Sequence, residues 1–168
     1  MLNRPLPHVT FRTRVRDESI GADNPYRWKD MTTADYFADK RAVLFSLPGA
    51  FTPTCSTFQL PDFETLFPDF RGRGFDAIYC ISVNDAQVLA HWAESTGARA
   101  VGIEVLSDWQ SEWTKAAGLE FSAPPVGFID RCQRCAMIVN DGVVEVMQME
   151  EERGVCNMTA GETLLELV

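Results

Sequence analysis

The sequence has little histidine: only His8 and His91 occur in 168 residues. His8 precedes the first expected strand and His91 falls inside an expected helix, so neither is placed beside a reactive group. A cysteine hydrolase needs a histidine base next to its nucleophile, and nothing in the sequence supports that pairing. Apolar runs are short. None approaches the roughly 20 residues of a membrane helix, so no membrane partner is expected. The stretch MLNRPLPHVTFRTRVRDE lacks the apolar segment of a secretory signal. Its arginines alternate with apolar residues, the pattern of a strand and not of a transit peptide. Basic charge is scarce as well. Fifteen Lys and Arg stand against 24 Asp and Glu, a net charge of −9, which argues against a nucleic-acid partner or an anionic membrane surface. Internal repeats, low-complexity segments and linkers are all missing.

Cysteine is present, but not as a framework. The five (Cys55, Cys80, Cys132, Cys135, Cys156) are odd in number and irregularly spaced. That suits a reducing compartment and one reactive thiol better than a stapled secreted domain, so a cytoplasmic location is expected. Cys132 and Cys135 form a single C-x-x-C. Zinc sites normally take four ligands from two such pairs, and no second pair or nearby histidine exists, so no metal or cofactor is expected. A thioredoxin-type redox pair would open a helix, whereas this pair opens a strand. Hydrophobic residues make up 46% and charged residues 23%, ordinary for a globular protein. The length predicts one domain over 1–168, burying roughly two thirds of its extended surface.

Val9, Phe11, Thr13 and Val15 alternate with polar residues and predict a half-buried strand. Gly21–Pro25 predicts a turn, and Thr32 or Thr33 can cap a short helix through Tyr36 and Phe37. Ala42–Leu47 and Ala77–Val83 are apolar runs of buried strands. Asn84 or Asp85 caps a helix whose Val88, Leu89, Trp92 and Ala93 share one face. A third strand is expected over Val101–Leu106, a helix over Gln110–Ala117 ended by Gly118, and a loop over Ser122–Pro125. Cys135–Val139 and Val143–Met149 flank Asn140-Asp141-Gly142, a hairpin turn signal. Glu162–Leu167 closes the chain as a helix.

The most informative stretch is Arg41–Pro61, RAVLFSLPGAFTPTCSTFQLP. Pro48 and Gly49 end a buried strand, and Pro53 suits the first position of a new helix, where its missing N–H costs nothing. Cys55 then lies in the first helical turn, where unpaired N–H groups and the helix dipole favour a thiolate. Thr52 can hydrogen-bond the sulfur or whatever the sulfur attacks. The helix should run to about Phe67, kinked at Pro61.

Pro48–Cys55, PGAFTPTC, resembles the active-site loop of the peroxiredoxins, and the preceding Leu44-Phe45-Ser46-Leu47 narrows the resemblance to the type II, atypical two-cysteine subfamily. Tyr26–Thr33, Cys80–Trp92, Glu112–Leu119 and Ala136–Met147 are similar to the same subfamily, so the likeness covers nearly the whole chain. It implies an α/β, thioredoxin-like fold: a central mixed sheet flanked by helices, with an inserted β-α unit and an N-terminal strand extension. The order of the expected strands and helices leads to the same fold independently. The resemblance further implies that Cys55 is the nucleophile, that Pro48 shields it from water, and that Arg134 is the active-site arginine. Local sequence alone does not separate Arg134 from Arg131. Four positions depart from the subfamily: Gln59 stands in place of histidine, Cys135 in place of an aromatic, and Ile129 and Asp130 in a loop normally rich in glycine.

The chemistry so implied is reduction of hydrogen peroxide and organic hydroperoxides through a sulfenic acid on Cys55, with thioredoxin, glutaredoxin or glutathione as reductant. A homodimer is expected, with Phe51 and Trp109 as apolar interface residues. Cys156, in the polar segment EEERGVCNMT, is the candidate resolving cysteine. Cys80 reads as a core residue of its strand, and Cys132 or Cys135 could approach the active site through its closeness to Arg134. The competing readings are a monothiol disulfide oxidoreductase and a redox-sensing module.

Overall fold

The computed structural model describes every residue except Ala22. The turn expected at Gly21–Pro25 includes Ala22 and so falls partly outside the described residues. Strands β1 (Thr10–Arg16) and β2 (Tyr26–Thr32) pair antiparallel as a separate two-stranded sheet. The expected N-terminal strand is thus half of a hairpin. β2 was not legible because Trp28, Lys29 and Asp30 break the apolar alternation, and it is largely exposed. Thr32 then caps α1 (Thr33–Phe37) through a reciprocal capping box with Asp35.

β3 (Arg41–Ser46) follows, and α2 (Leu60–Thr65) and α3 (Phe67–Gly72) lead to β4 (Ala77–Ser82). The helix expected to continue to Phe67 is interrupted at Leu66, ahead of Pro68, and restarts as α3. Asp85 caps α4 (Ala86–Thr96) by accepting from the backbone of Gln87 and Val88. Val101, expected to start a strand, instead ends the short helix α5 (Ala98–Val101) between Gly97 and Gly102, both at positive φ. The strand itself, β5, begins only at Glu104 and ends at Ser107. After α6 (Glu112–Ala116), the expected loop at Ser122–Pro125 is β6 (Glu120–Ala123) and one 3-10 turn, Pro124–Val126. β6 pairs with β7 (Phe128–Cys132) in a second small sheet. β8 (Cys135–Asn140), β9 (Val143–Met149) and α7 (Gly161–Leu165) complete the chain.

The central sheet has the order β5-β4-β3-β8-β9. β3, β4 and β5 are parallel, and β8 and β9 are antiparallel additions. Alternation explains why the middle strands are apolar throughout. Val43 and Phe45 enter one core layer, with Leu60, Phe63, Trp92 and Leu164, while Ala42 and Leu44 enter the other, with Phe11, Phe37, Tyr79 and Trp113. Phe45 stacks on Phe63 with ring centroids 4.2 Å apart. Each such fully buried side chain contributes about 1.5–3 kcal/mol. The frame matters for function because the two layers also sort the cysteines. Cys55 and Cys80 lie in the first layer, and Cys132 and Cys135 in the second.

Candidate active site

The segment after β3 places the reactive-site candidates. Leu47 is still core, and then Pro48, Gly49 and Ala50 turn the chain. Asn84 holds that turn, its side-chain oxygen accepting from the Ala50 N–H at 2.9 Å and from the Ser82 hydroxyl at 2.8 Å. Arg131 grips it from outside, donating to the Pro48 carbonyl at 3.3 Å. The helix starts at Pro53, which puts Cys55 in its first turn.

The kink expected at Pro61 takes a specific form. Cys55–Gln59 is a π-helical turn, with the Leu60 N–H donating to the Cys55 carbonyl. Pro61 has no N–H to offer the preceding turn, and the wider turn absorbs that loss just upstream of it. Such single π turns are frequent at functional sites. Ser56 stabilises the turn by accepting the Trp92 indole N–H at 3.0 Å.

Arg134 separates itself from Arg131 at once. Its Nη2 donates to Cys55 Sγ at 3.3 Å and its Nη1 to Gln59 Oε1 at 2.5 Å. Arg134 is only 8% exposed, and Cys55 and Gln59 are buried. A buried guanidinium keeps its charge and carries two directed donors on one side, so it can stabilise negative charge both on the sulfur and on an oxygen beside it. Pro48, Thr52 and Arg134 line one cavity of about 410 Å³, whose outer wall includes Phe121 and Phe128. Thr52 Oγ1 donates to the Gly49 carbonyl at 2.7 Å, which leaves its oxygen free to accept a hydrogen bond from a molecule in that cavity. A larger cavity of about 630 Å³ lies between the β1–β2 hairpin and α4, but none of Pro48, Thr52 and Arg134 lines it.

The other thiols are held differently. Cys80 is fully buried in β4, and desolvation pushes its thiol well above the usual range. Cys132 ends β7 and Cys135 opens β8, so the pair straddles a turn. Both belong to the core layer on the far face of the sheet from Cys55, which corrects the expectation that one of them approaches the active site. Ser46 Oγ lies 2.9 Å from Cys135 Sγ and donates to the Gln133 carbonyl at 2.7 Å. Burial pushes the Cys132 thiol up to about 11 and the Cys135 thiol to about 12. Cys156 is half-buried, not exposed as the polar sequence around it suggested, with Sγ 3.8 Å from Thr159 Oγ1. Burial raises its thiol too, while the Thr159 hydroxyl and Arg134 pull the other way.

Three contributors escaped the sequence reading. Asn84 read as a helix cap, Arg131 was indistinguishable from Arg134, and Gln59 stood out only as a departure from a pattern. None carries a periodicity or spacing signal, since each acts through a partner 34 to 83 residues distant.

Comparison with known proteins agrees with this geometry. The Redoxin family model matches residues 22–162. A peroxiredoxin of Rhizobium etli is 52% identical over 153 residues, covering 91% of this chain and 84% of the relative. This chain belongs to the peroxiredoxins. A peroxiredoxin of Synechocystis sp. is 49% identical over 89% of this chain and 78% of its own. Among solved structures, reduced Prx3 of Vibrio vulnificus in complex with hydrogen peroxide superposes with a TM-score of 0.86 at 34% identity, covering 99% of this chain and 94% of that one. As a peroxiredoxin the chain is a thiol peroxidase, an enzyme that takes a peroxide as substrate and a thiol as reductant, and its thioredoxin-like fold is that of the family.

Proposed function

We propose that Cys55 is the sulfur that attacks the peroxide, with Arg134, Thr52 and Pro48 completing its site. The observation that carries this reading is the 3.3 Å approach of Arg134 Nη2 to Cys55 Sγ, by an arginine that lines one cavity with Pro48 and Thr52. The Cys55 thiolate attacks one peroxide oxygen, and the O–O bond breaks. The sulfur is oxidised to a sulfenic acid, and the second oxygen leaves as water or alcohol after taking a proton. Arg134 stabilises the charge that builds on that oxygen, and Thr52 orients the hydroperoxide by accepting from it. Pro48 donates no hydrogen bond and keeps water from the sulfur. Hydrogen peroxide and organic hydroperoxides both fit this chemistry.

Resetting requires a thiol to condense with the sulfenic acid, releasing water. Cys156 is the intramolecular candidate, on a segment between β9 and α7. Glutathione, glutaredoxin or thioredoxin supplies the final electrons. The remaining parts of the reading are a single domain over 1–168, a homodimer and a cytoplasmic location.

The test is steady-state consumption of hydrogen peroxide with each reductant in turn, for the parent protein and Cys55→Ser. Turnover with at least one reductant, abolished by Cys55→Ser in a folded protein, is the expected result. A single stoichiometric oxidation without turnover would make the chain a sensor, and residual turnover in Cys55→Ser would move the chemistry elsewhere.

A further inference from the structure

The cavity lined by Pro48, Thr52 and Arg134 is much larger than hydrogen peroxide needs. A water molecule takes up about 30 Å³ of liquid, so the smallest peroxide fills only a small part of about 410 Å³. The rest of the wall is apolar, with Phe121, Val126 and Phe128 presented by the β6–β7 hairpin. The two rings meet edge to face, their centroids 6.4 Å apart. Each is capped by a guanidinium: Arg153 lies 4.8 Å from the Phe121 centroid, and Arg131 lies 5.2 Å from that of Phe128. Arg131 also donates to the Pro48 carbonyl, which fastens this ladder of rings to the reactive loop. Pro124 and Pro125 fix the backbone of the turn between the two rings. A wall held in this way is formed before any ligand arrives, so an apolar body loses little on docking against it.

Charge is distributed unevenly around the same cavity. Arg134, Arg153, Glu150, Glu151 and Glu152 all line it. Three of the five are already engaged. Arg134 donates to the Cys55 sulfur and to Gln59, and Arg153 caps Phe121. Glu150 Oε1 accepts from the Asn157 N–H, the Thr159 N–H and the Thr159 hydroxyl, at 2.7–2.8 Å. Glu151 and Glu152 are left without an ion pair among the described residues. Both are exposed and so stand at the open side of the cavity. The chain's net charge of −9 adds to their repulsion of an anion.

We propose that Glu151 and Glu152 act as a charge filter, so that the cavity takes uncharged organic hydroperoxides in preference to those carrying a carboxylate. The hydrocarbon body lies against Phe121 and Phe128, and its far end points toward the two glutamates. An uncharged aryl or branched-alkyl body meets only apolar wall there. A carboxylate at the far end faces two like charges, and no unengaged cation in the cavity offsets them. Discrimination of this kind depends on repulsion as much as on fit. Hydrogen peroxide, which is uncharged and does not reach the wall, is indifferent to the filter. The inference rests on the assignment of Cys55 and Arg134 proposed above.

The experiment compares two probes, cumene hydroperoxide bearing a para carboxylate and the methyl ester of the same compound, which differ by one charge at similar size. The reading is the second-order rate of oxidation of the reduced protein in stopped flow. At about 20 mM ionic strength the ester should react roughly fivefold or more faster than the carboxylate, and about 0.5 M salt should shrink that ratio to below about twofold, since exposed charges are screened. The Glu151→Gln, Glu152→Gln double variant should bring the ratio below about twofold at low salt, and Glu151→Lys with Glu152→Lys should favour the carboxylate. Phe121→Ala should lower the rate with cumene hydroperoxide, relative to that with hydrogen peroxide, by about fivefold or more. The glutamate variants alter exposed side chains only, so they keep the test decisive if Phe121→Ala does not fold. Equal rates for the two probes in the parent, or a preference that neither salt nor the glutamate variants alter, would overturn the proposal. If Arg134→Met is oxidised by hydrogen peroxide as fast as the parent, the underlying assignment has failed, and the filter with it. If Arg134→Met is slow and the two probes react alike, only the filter has failed.

Discussion

Arg131 donates to the carbonyl of Pro48 at 3.3 Å, while Arg134, three residues on, reaches past the same loop to the Cys55 sulfur. The two arginines clamp the reactive loop from opposite ends and do different work. One steadies backbone, and the other faces the Cys55 sulfur.

Arg134→Met should therefore slow oxidation of Cys55 by about 10²–10³, the usual cost of removing a donor aimed at developing charge. Arg131→Met should slow it by no more than about threefold. Gly49→Ala should resemble Arg131→Met, because a Cβ there would come within 2.8 Å of Arg131 Nη1 and push that flexible side chain off Pro48. Stopped-flow measurement of the oxidation rate checks all three. The reverse ranking of the two arginines would show that the wrong one faces the peroxide.

Native-state alkylation should map the thiols by layer. Thiolate is the reactive form, and raised values of about 11 and 12 leave Cys132 and Cys135 protonated at pH 8. For a thiol raised by burial, the reactive anion appears only as pH approaches that raised value. Cys80, Cys132 and Cys135 should stay unmodified by iodoacetamide at pH 8 until the protein is unfolded, and Cys156 should be labelled in the folded state. Mass spectrometry of the digested protein gives the answer. Labelling of Cys132 ahead of Cys156 would contradict the burial argument.

Much of this was legible in the sequence for identifiable reasons. The runs at Ala42–Leu47 and Ala77–Val83 cannot be exposed on either face, so they had to be central strands. Asp141-Gly142 supplies two consecutive positive φ angles, 47° and 75°, which only such a pair adopts readily, so the β8–β9 hairpin was fixed locally. Cys55, Thr52 and Pro48 lie within eight residues and could be read together. What failed was whatever depends on a distant partner. β2 is held by pairing with β1 and not by an apolar face. Val101 was drawn into a helix by the glycines that bracket α5. Cys156 looked exposed because its stretch is polar, but the segment folds so that the thiol is half-buried within reach of Thr159 and Arg134.

The terminal helix gives a stability prediction independent of the chemistry. A Cβ on Gly161 would lie 3.1 Å from Asp62 Oδ2, 3.2 Å from Phe63 Cδ1 and 3.3 Å from Leu66 Cδ1. Phe63 is stacked on Phe45 and has nowhere to go. Overpacking of this kind costs about 1–3 kcal/mol, against a propensity gain below about 1 kcal/mol at a helix start. Gly161→Ala should lower the thermal midpoint by several degrees with peroxidase activity retained at 25 °C. An unchanged or higher midpoint would show that α7 is loosely docked.

Phe51 is 55% exposed and Trp109 53%. Phe51 also holds a positive φ of 61°, an expensive conformation for a bulky residue, beside the loop that carries Thr52. Burial against a second copy would recover that apolar area. Light scattering at micromolar concentration should give twice 18.8 kDa, and Phe51→Ser should shift the equilibrium toward the monomer. A monomer in both redox states would contradict the homodimer.

The most direct test of the account is where the first oxygen goes. The Cys156→Ser protein, fully reduced, is treated with one equivalent of hydrogen peroxide in the presence of dimedone, which traps sulfenic acids, and then digested for mass spectrometry. The account predicts one dimedone adduct, on Cys55, formed at least tenfold more slowly in Arg134→Met. An adduct on Cys80, Cys132 or Cys135 instead, or an Arg134→Met protein oxidised at the parent rate, would contradict it.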